Sequence, residues 1–133
     1  FAQLRGLPVP VVCSVQGKVV GGGNAASRNT DYIVSDMAAT FEHGNLVRGV
    51  CPLGGYSQTQ VQAIGRGRAL TMYLCNSVLG ASDALAAGVV HEVCLAGVKA
   101  RSNGRLSWRD CWQQTSCGQV PWCGGGKQWA MIT

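Results

Sequence analysis

The stretch Pro10–Phe41, PVVCSVQGKVVGGGNAASRNTDYIVSDMAATF, decides the fold predicted for this chain. Residues 9–15 form a β-branched, apolar run that is typical of a buried strand. A Gln-Gly pair at residues 16–17 indicates a turn, and extended structure resumes over residues 18–20. The consecutive glycines at residues 21–23 then open a helical segment, so that two strands and a helix follow one another within a short space.

Outside this stretch, strands and helices continue to alternate, and this alternation predicts an α/β fold. The predicted elements are a short helix over 24–29, strands over 32–35 and 39–41, helices over 56–64, 66–76 and 83–87, and a closing strand over 89–93. Ser82 is predicted to cap the last of these helices. The preceding helix is predicted to present an apolar stripe made of Ala69, Leu70, Tyr73 and Leu74.

The apolar pattern and the composition of the sequence change after Cys94. Residues 95–133 lack apolar periodicity and carry every tryptophan of the chain, namely Trp108, Trp112, Trp122 and Trp129. Gly124–Gly126 is typical of a linker. The sequence therefore predicts two parts, a first over residues 1–94 and a Trp-, Cys- and Gly-rich tail over residues 95–133. The tail is either a docking extension or an altered end of the chain.

Composition excludes several classes of function. Charged residues make up 13% of the chain, against a usual share of roughly 25%, which suggests that other protein chains cover part of the surface. The net charge of +5 is scattered and no aromatic-basic stripe accompanies it, so no nucleic-acid partner is predicted. No apolar run reaches the roughly 20 residues of a transmembrane segment, and no targeting segment is visible.

The seven cysteines form no CxxC pair, and their spacing does not suit a zinc site, so no metal is predicted. A cysteine in an apolar stretch usually behaves as a small hydrophobic residue. We therefore expect reduced thiols, which point to an intracellular location, including an organelle.

Four blocks of sequence, taken in order, resemble the crotonase (enoyl-CoA hydratase/isomerase) superfamily. In Pro10–Phe41, the turn, the triple glycine, the short helix ending in Asp and the small-x-Phe motif follow the family's order. Residues 49–55 resemble its G-x-x-P-x-x-G-G loop, one residue shorter, residues 64–66 resemble its helix junction, and residues 81–93 resemble its closing motif. The resemblance covers residues 8–93. It implies the second half of the family's domain, a partial spiral of ββα units.

The resemblance also implies chemistry on acyl thioesters. In this family, two backbone N–H groups bind the thioester oxygen and stabilise an enolate-like transition state. One of them corresponds here to the N–H of Gly22, the middle glycine of the loop, where the backbone must approach the ligand closely. The other belongs to the first half of the domain. No cofactor is required, and the implied ligand is a CoA or carrier-protein thioester.

Both carboxylates that the family's hydratases use to move protons and hold water are replaced in this chain. Their positions correspond to Ala25 and Asn45, and the family's spacing of 20 residues between them is kept. Alanine transfers no proton, and asparagine can only hydrogen-bond. His43 lies beside the second position and is a speculative catalytic candidate, because imidazole titrates near neutral pH. The alternative is that His43 is a loop or interface residue.

Two hypotheses for function follow from these residues. The first is a degenerate crotonase that acts as a non-catalytic, structural or interaction subunit of a larger assembly. The second is an acyl-thioester decarboxylase or dehydratase that uses Gly22 as an oxyanion contact and acts on an acyl-CoA or a carrier-bound polyketide. Family members assemble as trimers or hexamers through their C-terminal regions. The C-terminal end of this chain does not match the family pattern, so the resemblance does not extend to the family's trimer.

Overall fold

The computed structural model describes residues 2–94 and 130–132. Helices α1 to α5 span Ala2–Arg5, Gly22–Ser27, Tyr56–Ile64, Arg66–Leu74 and Ala81–Ala86, and a single 3₁₀ turn spans Leu46–Arg48. Strands β1 to β7 span Val11–Val15, Lys18–Val20, Tyr32–Asp36, Thr40–Glu42, Val78–Gly80, Glu92–Cys94 and Ala130–Ile132.

The strands form two sheets that share a repeating connection. One sheet has the order β6-β3-β1-β7 and is parallel throughout, and the other has the order β2-β4-β5, in which only β4 and β5 are antiparallel. Residues 16–17 and 37–39 are short breaks at which the chain leaves the first sheet and enters the second. Cys13 pairs with Ile33 in the first sheet, and Val19 pairs with Phe41 in the second. This strand-strand-helix repeat confirms the predicted α/β spiral.

The main hydrophobic core lies where the two sheets meet helices α3, α4 and α5. Its largest members come from both sheets and from α4, and they include Ile33, Phe41 and Met72. Phe41 is completely buried. Burial of a side chain of this size stabilises the folded chain by roughly 1.5–3 kcal/mol, so β4 is firmly fixed beneath the residues that follow it.

Several predicted element boundaries differ from the structure. Strand β5 was not predicted, because three residues ending in glycine carry no readable alternation. Helix α5 begins at Ala81 with Gly80 as its N-cap, and no side chain caps it, so the prediction of a Ser82 cap is wrong. Val89 and Val90 are buried in the connection before β6 rather than in a strand.

Helix α4 faces the core with a different stripe from the predicted one. Ala69 and Met72 are buried, whereas Leu70 and Leu74 are exposed and Tyr73 is half-buried. Ala69 and Met72, three residues apart, are the two buried residues of α4, and both belong to the main core. The apolar side chains that α4 leaves exposed are therefore available to other parts of the protein.

The described cysteines only partly follow the expectation of reduced thiols. Cys13, Cys51 and Cys75 are free. Cys94 is disulfide-bonded, so the expectation is wrong at that position. The tryptophans of the predicted tail lie outside the described residues. Within the ranges that the structure describes, no helix has the length and apolar character needed to cross a membrane.

Candidate functional site

Gly21 is the point at which the loops following β2 and β4 meet. Its N–H donates a hydrogen bond to the carbonyl of His43 at 3.1 Å, and its own carbonyl accepts one from the N–H of Ala25 at 2.9 Å. The backbone of Gly21 has φ of +52°, and a Cβ placed there would lie 3.5 Å from Oδ1 of Asn45. Glycine adopts such a conformation without steric cost, so it allows the two loops to approach closely. We call this contact the Gly21 junction.

The structure brings the two positions predicted for the lost acids to this junction. Ala25 is buried on α2, with 3% of its surface exposed. Asn45 is also buried, its Nδ2 lies 3.5 Å from the carbonyl oxygen of Cys51, and its Oδ1 has no hydrogen-bond partner among the described residues. Gly22 is exposed as the first residue of α2. The Gly21 junction therefore contains Gly22, Ala25 and Asn45 and no carboxylate of its own.

Glu42, the last residue of β4, is the carboxylate closest in sequence to the junction, and it is already paired. Its Oε2 lies 2.8 Å from Nζ of Lys18, and its Oε1 accepts a hydrogen bond from Nδ2 of Asn76 at 2.9 Å. Arg48 lies at 4.0 Å from the same Oε1. The hydrogen bonds from Lys18 and Asn76 hold the pKa of Glu42 below its ordinary value. Glu42 is therefore kept ionised by its partners, and it holds the side chains of Lys18 and Asn76 in place.

Asn76 and Arg48 also form hydrogen bonds with the backbone N–H and carbonyl of Gly44. Its N–H donates to Oδ1 of Asn76 at 2.8 Å, and its carbonyl accepts from Nη1 of Arg48 at 2.7 Å. Asn76 itself lies in the left-handed region with φ of 47°, which asparagine tolerates better than most residues. The sequence did not reveal these roles of Glu42 and Asn76, because 34 residues separate them. In the sequence, the only local indication of these hydrogen bonds is an asparagine shortly after the end of α4.

His43 packs between two aromatic rings. It stacks on Tyr56 with ring centroids 4.5 Å apart and meets Tyr73 edge-on at 4.8 Å. Only 3% of its surface is exposed, and its Nδ1 has no hydrogen-bond partner among the described residues. Burial lowers the pKa of the imidazole below its ordinary value, which favours the neutral ring. His43 lines a cavity of about 260 Å³ between α3 and α4.

Arg28, which directly follows the last residue of α2, is a second buried polar side chain. Arg28 is 5% exposed, and its Nε and Nη2 have no hydrogen-bond partner among the described residues. Burial lowers the pKa of Arg28 to about 10 and raises the pKa of Tyr56 to about 12. Arg28 is one of the scattered basic residues of the sequence. Nothing in its local sequence pattern distinguishes it from the others, and Cys13 and Tyr56, with which it interacts electrostatically, are distant in the chain.

The described residues contain no group of three or more His, Cys, Asp or Glu side chains that could hold a metal ion. The chemistry available at the Gly21 junction is therefore that of backbone N–H groups, an amide side chain and apolar surface.

Comparison with known proteins identifies the family. The enoyl-CoA hydratase/isomerase family model matches residues 1–109. A probable enoyl-CoA hydratase of Mycobacterium leprae is 29% identical over 96 residues, which cover 72% of this chain and 37% of that protein. The mitochondrial enoyl-CoA hydratase of Pongo abelii is 31% identical over 92 residues, which cover 69% of this chain and 32% of that protein.

Solved structures agree with this result. The crystal structure of an enoyl-CoA hydratase from Mycobacterium avium subsp. paratuberculosis matches with a TM-score of 0.68 and 36% identity, over 70% of this chain and 38% of that chain. A probable enoyl-CoA hydratase/isomerase from Mycobacterium abscessus matches with a TM-score of 0.63 and 30% identity, over 66% of this chain and 34% of that chain.

The chain belongs to the enoyl-CoA hydratase/isomerase family, which confirms the resemblance found in its sequence. It spans about a third of the length of the relatives that it matches. The boundary at residue 94 between the family domain and the tail stays a prediction, as do the roles assigned to Gly22, Ala25, Asn45 and His43.

Proposed function

We propose that this chain is a member of the enoyl-CoA hydratase/isomerase family that does not hydrate enoyl thioesters and serves as a structural or interaction subunit of a larger assembly. The observation that carries the proposal is the Gly21 junction. Ala25 and Asn45 stand at the positions where the resemblance places the two acids; the N–H of Ala25 bonds to Gly21, and Oδ1 of Asn45 would lie 3.5 Å from a Cβ placed on Gly21. Hydration needs groups that give and take protons, and neither side chain titrates.

Glu42 does not replace the missing acids. Its two carboxylate oxygens are engaged by Lys18 and Asn76, and these contacts stabilise the ionised form. A general base works best with a pKa near the working pH, whereas the pKa of Glu42 is moved in the opposite direction. The role of Glu42 is therefore structural: it stabilises the conformation of the loop that carries Asn45.

Exposed apolar residues after β4 support the role as a subunit. Four large hydrophobic side chains lie exposed within residues 46–53, and Leu53 has 69% of its surface exposed. These four residues, which we call the 46–53 patch, are Leu46, Val47, Val50 and Leu53. Apolar clusters of this kind are typical of surfaces that another protein segment covers. A structural subunit would bury this patch against a neighbouring chain.

A second candidate function, decarboxylation of an acyl thioester, is favoured by the position of Gly22. Gly22 is exposed and is the first residue of α2, so its N–H has no acceptor within the helix. Loss of CO₂ from a malonyl-type thioester leaves an enolate, which such an N–H group could stabilise, and water would supply the proton. The thioester would be carried by CoA or by a carrier protein.

The decisive experiment measures binding and turnover on one preparation of the full chain. Butyryl-CoA, which cannot be hydrated, tests thioester binding by calorimetry. Crotonyl-CoA tests hydration by its absorbance, and malonyl-CoA tests release of CO₂. The enoyl-CoA hydratase of Mycobacterium avium is the positive control for hydration. We expect no hydration by this chain, and a kcat/KM within about tenfold of the control would overturn the proposal.

The same preparation separates the two candidates. Release of CO₂ from malonyl-CoA that disappears in Gly22→Pro, but persists in Gly22→Ala, would favour the decarboxylase. Absence of all three signals, together with a native mass in which this chain is joined to other chains, would favour the structural subunit. A monomeric native mass would contradict the subunit role.

A further inference from the structure

Strand β7 lies at a position of its sheet that the spiral repeat does not account for. In the order β6-β3-β1-β7, strands β1, β3 and β6 come from successive turns of the chain and lie side by side. Continued backwards, this series would place the strand of a preceding turn at the outer edge of β1, the edge that faces away from β3. Residues 130–132 fill that edge instead, although they come from the opposite end of the described chain.

The pairing of β7 with β1 is parallel and short. It matches residues 11–13 with residues 130–132, and Val12 lies opposite Met131. Within the part of the chain that the structure describes, β1 is the one strand paired with β7, so β7 is an edge strand. Strand β6, at the other edge, has as many residue pairs but follows α5 after only residues 87–91, whereas residues 95–129 separate β6 from β7. Closing the longer connection costs more entropy, so β7 is the more easily displaced edge strand.

The hydrogen bonds of Val11 indicate which backbone groups of β1 face β7. Its N–H donates to Oδ2 of Asp31, directly before β3, at 2.7 Å, and its carbonyl accepts from the N–H of Asp31 at 2.9 Å. Val11 therefore faces β3, and because successive residues of a strand alternate in direction, Val12 faces β7. In a parallel ladder such a residue bonds to the two residues that flank its partner. The N–H of Ile132 is thus directed to Val12, whereas the N–H of Met131 is directed away from β1.

Both faces of the sheet are apolar beside the outer edge of β1. Val12 and Cys13 are buried and belong to two different hydrophobic clusters. Their side chains point to opposite faces of the sheet, and strands that are buried on both faces are continuous apolar runs. A segment that pairs with this edge must therefore be extended, parallel to β1 and uncharged. The Ala-Met-Ile sequence of β7 meets this description.

We propose that the outer edge of β1 is a strand-addition site for an extended apolar segment of another protein chain, and that β7 is its displaceable cover. Strand addition takes its affinity from main-chain hydrogen bonds and its specificity from alternate side chains. The inference goes beyond the proposed function and is independent of it, because the edge contains none of Gly22, Ala25 and Asn45. A hydratase and a structural subunit would both have the same edge.

The first test compares two proline variants of the full chain. Ile132→Pro removes the N–H that is directed to Val12, whereas Met131→Pro, the matched control, removes an N–H that β1 does not use, which edge strands tolerate. Hydrogen exchange measured by NMR reports on each side of β1 separately. In Ile132→Pro the Val12 amide should exchange at least about tenfold faster, while the Cys13 amide, which faces β3, stays within about twofold. Met131→Pro should match the parent chain at both amides.

The second test adds the strand from outside. The probe is a fluorescently labelled peptide with blocked ends and the sequence of residues 127–133, KQWAMIT. Because β7 competes for the same edge, the Kd measured by fluorescence anisotropy should be about tenfold lower for Ile132→Pro than for the parent chain. A control peptide that carries the Ile132→Pro change should bind neither protein.

Reduction of the Cys94 disulfide displaces β7 without any substitution, so the test does not depend on the folding of a variant. Cys13, Cys51 and Cys75 are free, so the partner of Cys94 lies outside the described residues, where the first cysteine is Cys111. The disulfide therefore leaves at most residues 112–129 between the cross-link and β7. Dithiothreitol, which is oxidised to its cyclic disulfide, converts the bond to two thiols and restores the full connection. The Val12 amide should then exchange about threefold faster or more, because closure becomes less probable as the connection lengthens.

Faster exchange at Val12 alone, together with tighter binding of the peptide by Ile132→Pro, supports the proposal. Equal acceleration at Val12 and Cys13, in the folded variant or in the reduced chain, overturns it, because the change is then not confined to the outer edge of β1. Absence of saturable peptide binding to folded Ile132→Pro also overturns it, as does identical behaviour of the two proline variants.

Discussion

The Gly21 junction and the cavity that His43 lines between α3 and α4 differ in how their polar groups are paired. At the junction, backbone N–H and carbonyl groups pair with one another, and Oδ1 of Asn45 would lie 3.5 Å from a Cβ placed on Gly21. Around the cavity, Nδ1 of His43 and Oε1 of Gln60 are buried and have no hydrogen-bond partner among the described residues. The polar groups of the first region are therefore mainly paired, whereas the second region buries side-chain atoms that have no partner among the described residues.

The difference arises from the alternation of side chains at the end of β4. Glu42 points to Lys18 and Asn76, whereas His43 points to Tyr56 and Tyr73 on the helices. Successive residues of a strand face opposite sides, so neighbours in sequence serve unrelated surroundings. Closeness in sequence to Asn45 therefore does not by itself place the His43 side chain beside Asn45. Substitutions in each region test whether the Gly21 junction and the cavity between α3 and α4 are independent of each other.

The largest effect is expected for Gly44, which joins the two regions. A Cβ at this position would overlap the side chains of Val20 and Arg48, and the residue has φ of +70°. Strain and overlap together should lower the free energy of unfolding of Gly44→Ala by about 3 kcal/mol. The measurement is the urea midpoint.

Gly22→Ala is the matched control for this comparison. Its Cβ would meet nothing within 4 Å, and no positive φ is found there. Its unfolding free energy should stay within about 1 kcal/mol of the parent value, on the stabilising side, because alanine suits a helix better than glycine. Equal losses in the two variants would show that the loop containing Gly44 is not specially constrained.

A smaller effect is expected for Asn76. Asn76→Ala removes the acceptor of the Gly44 N–H and places alanine at φ of 47°, which together should cost about 2 kcal/mol of stability. Asn76→Gly tolerates the conformation and should lose only about half as much. If the two variants unfold at the same urea concentration, the backbone conformation of residue 76 contributes nothing and only the hydrogen bonds matter.

The pH dependence of stability should distinguish His43 from its neighbours. The folded pKa of His43 lies below the ordinary value of 6.5, so the unfolded chain binds the proton first. Stability is present above about pH 6.5 and is lost as the pH falls towards the folded pKa, by at most about 1.4 kcal/mol per pH unit.

His43→Phe should reduce this loss between pH 7 and 5.5, as measured by urea unfolding at each pH. His91, whose pKa is also lowered by burial, stays in both proteins and cancels in the comparison. The titration of Glu42 belongs to a lower pH range, because its folded pKa lies below 4.5. A parallel pH profile in parent and variant would mean that the His43 ring is not buried in solution.

The smallest effect on stability is expected in the 46–53 patch. Leu53→Ser replaces an exposed side chain and should change the unfolding free energy by no more than about 0.5 kcal/mol. If the patch is covered by another chain, the same substitution should nevertheless weaken assembly, which native mass spectrometry detects. Ser57→Ala, at an exposed position on α3, is the control that should affect neither property.

Local pattern predicted the fold well, because the strands of one ββα unit are close in sequence. The pairing of Val19 with Phe41 follows from two short apolar runs and a glycine turn. The assignment of Ala25 and Asn45 to the positions of the two acids rests only on the family resemblance. Contacts between distant residues could not be predicted, such as Asn76 with Glu42 or the burial of Arg28. Such contacts depend on how the helices pack on the sheets, and local periodicity does not specify that packing.

The register of the parallel sheets has a consequence for the order in which the chain folds. Val12 and Tyr32 are 20 residues apart, and Val19 and Phe41 are 22 apart, whereas Val34 and Glu92 are 58 apart. Loop closure costs more entropy as the separation grows, and non-local pairing slows folding. The first spiral turn can therefore form during synthesis before β5 and β6 exist. Until residue 78 emerges from the ribosome, the open edge of β4 is a template for aggregation.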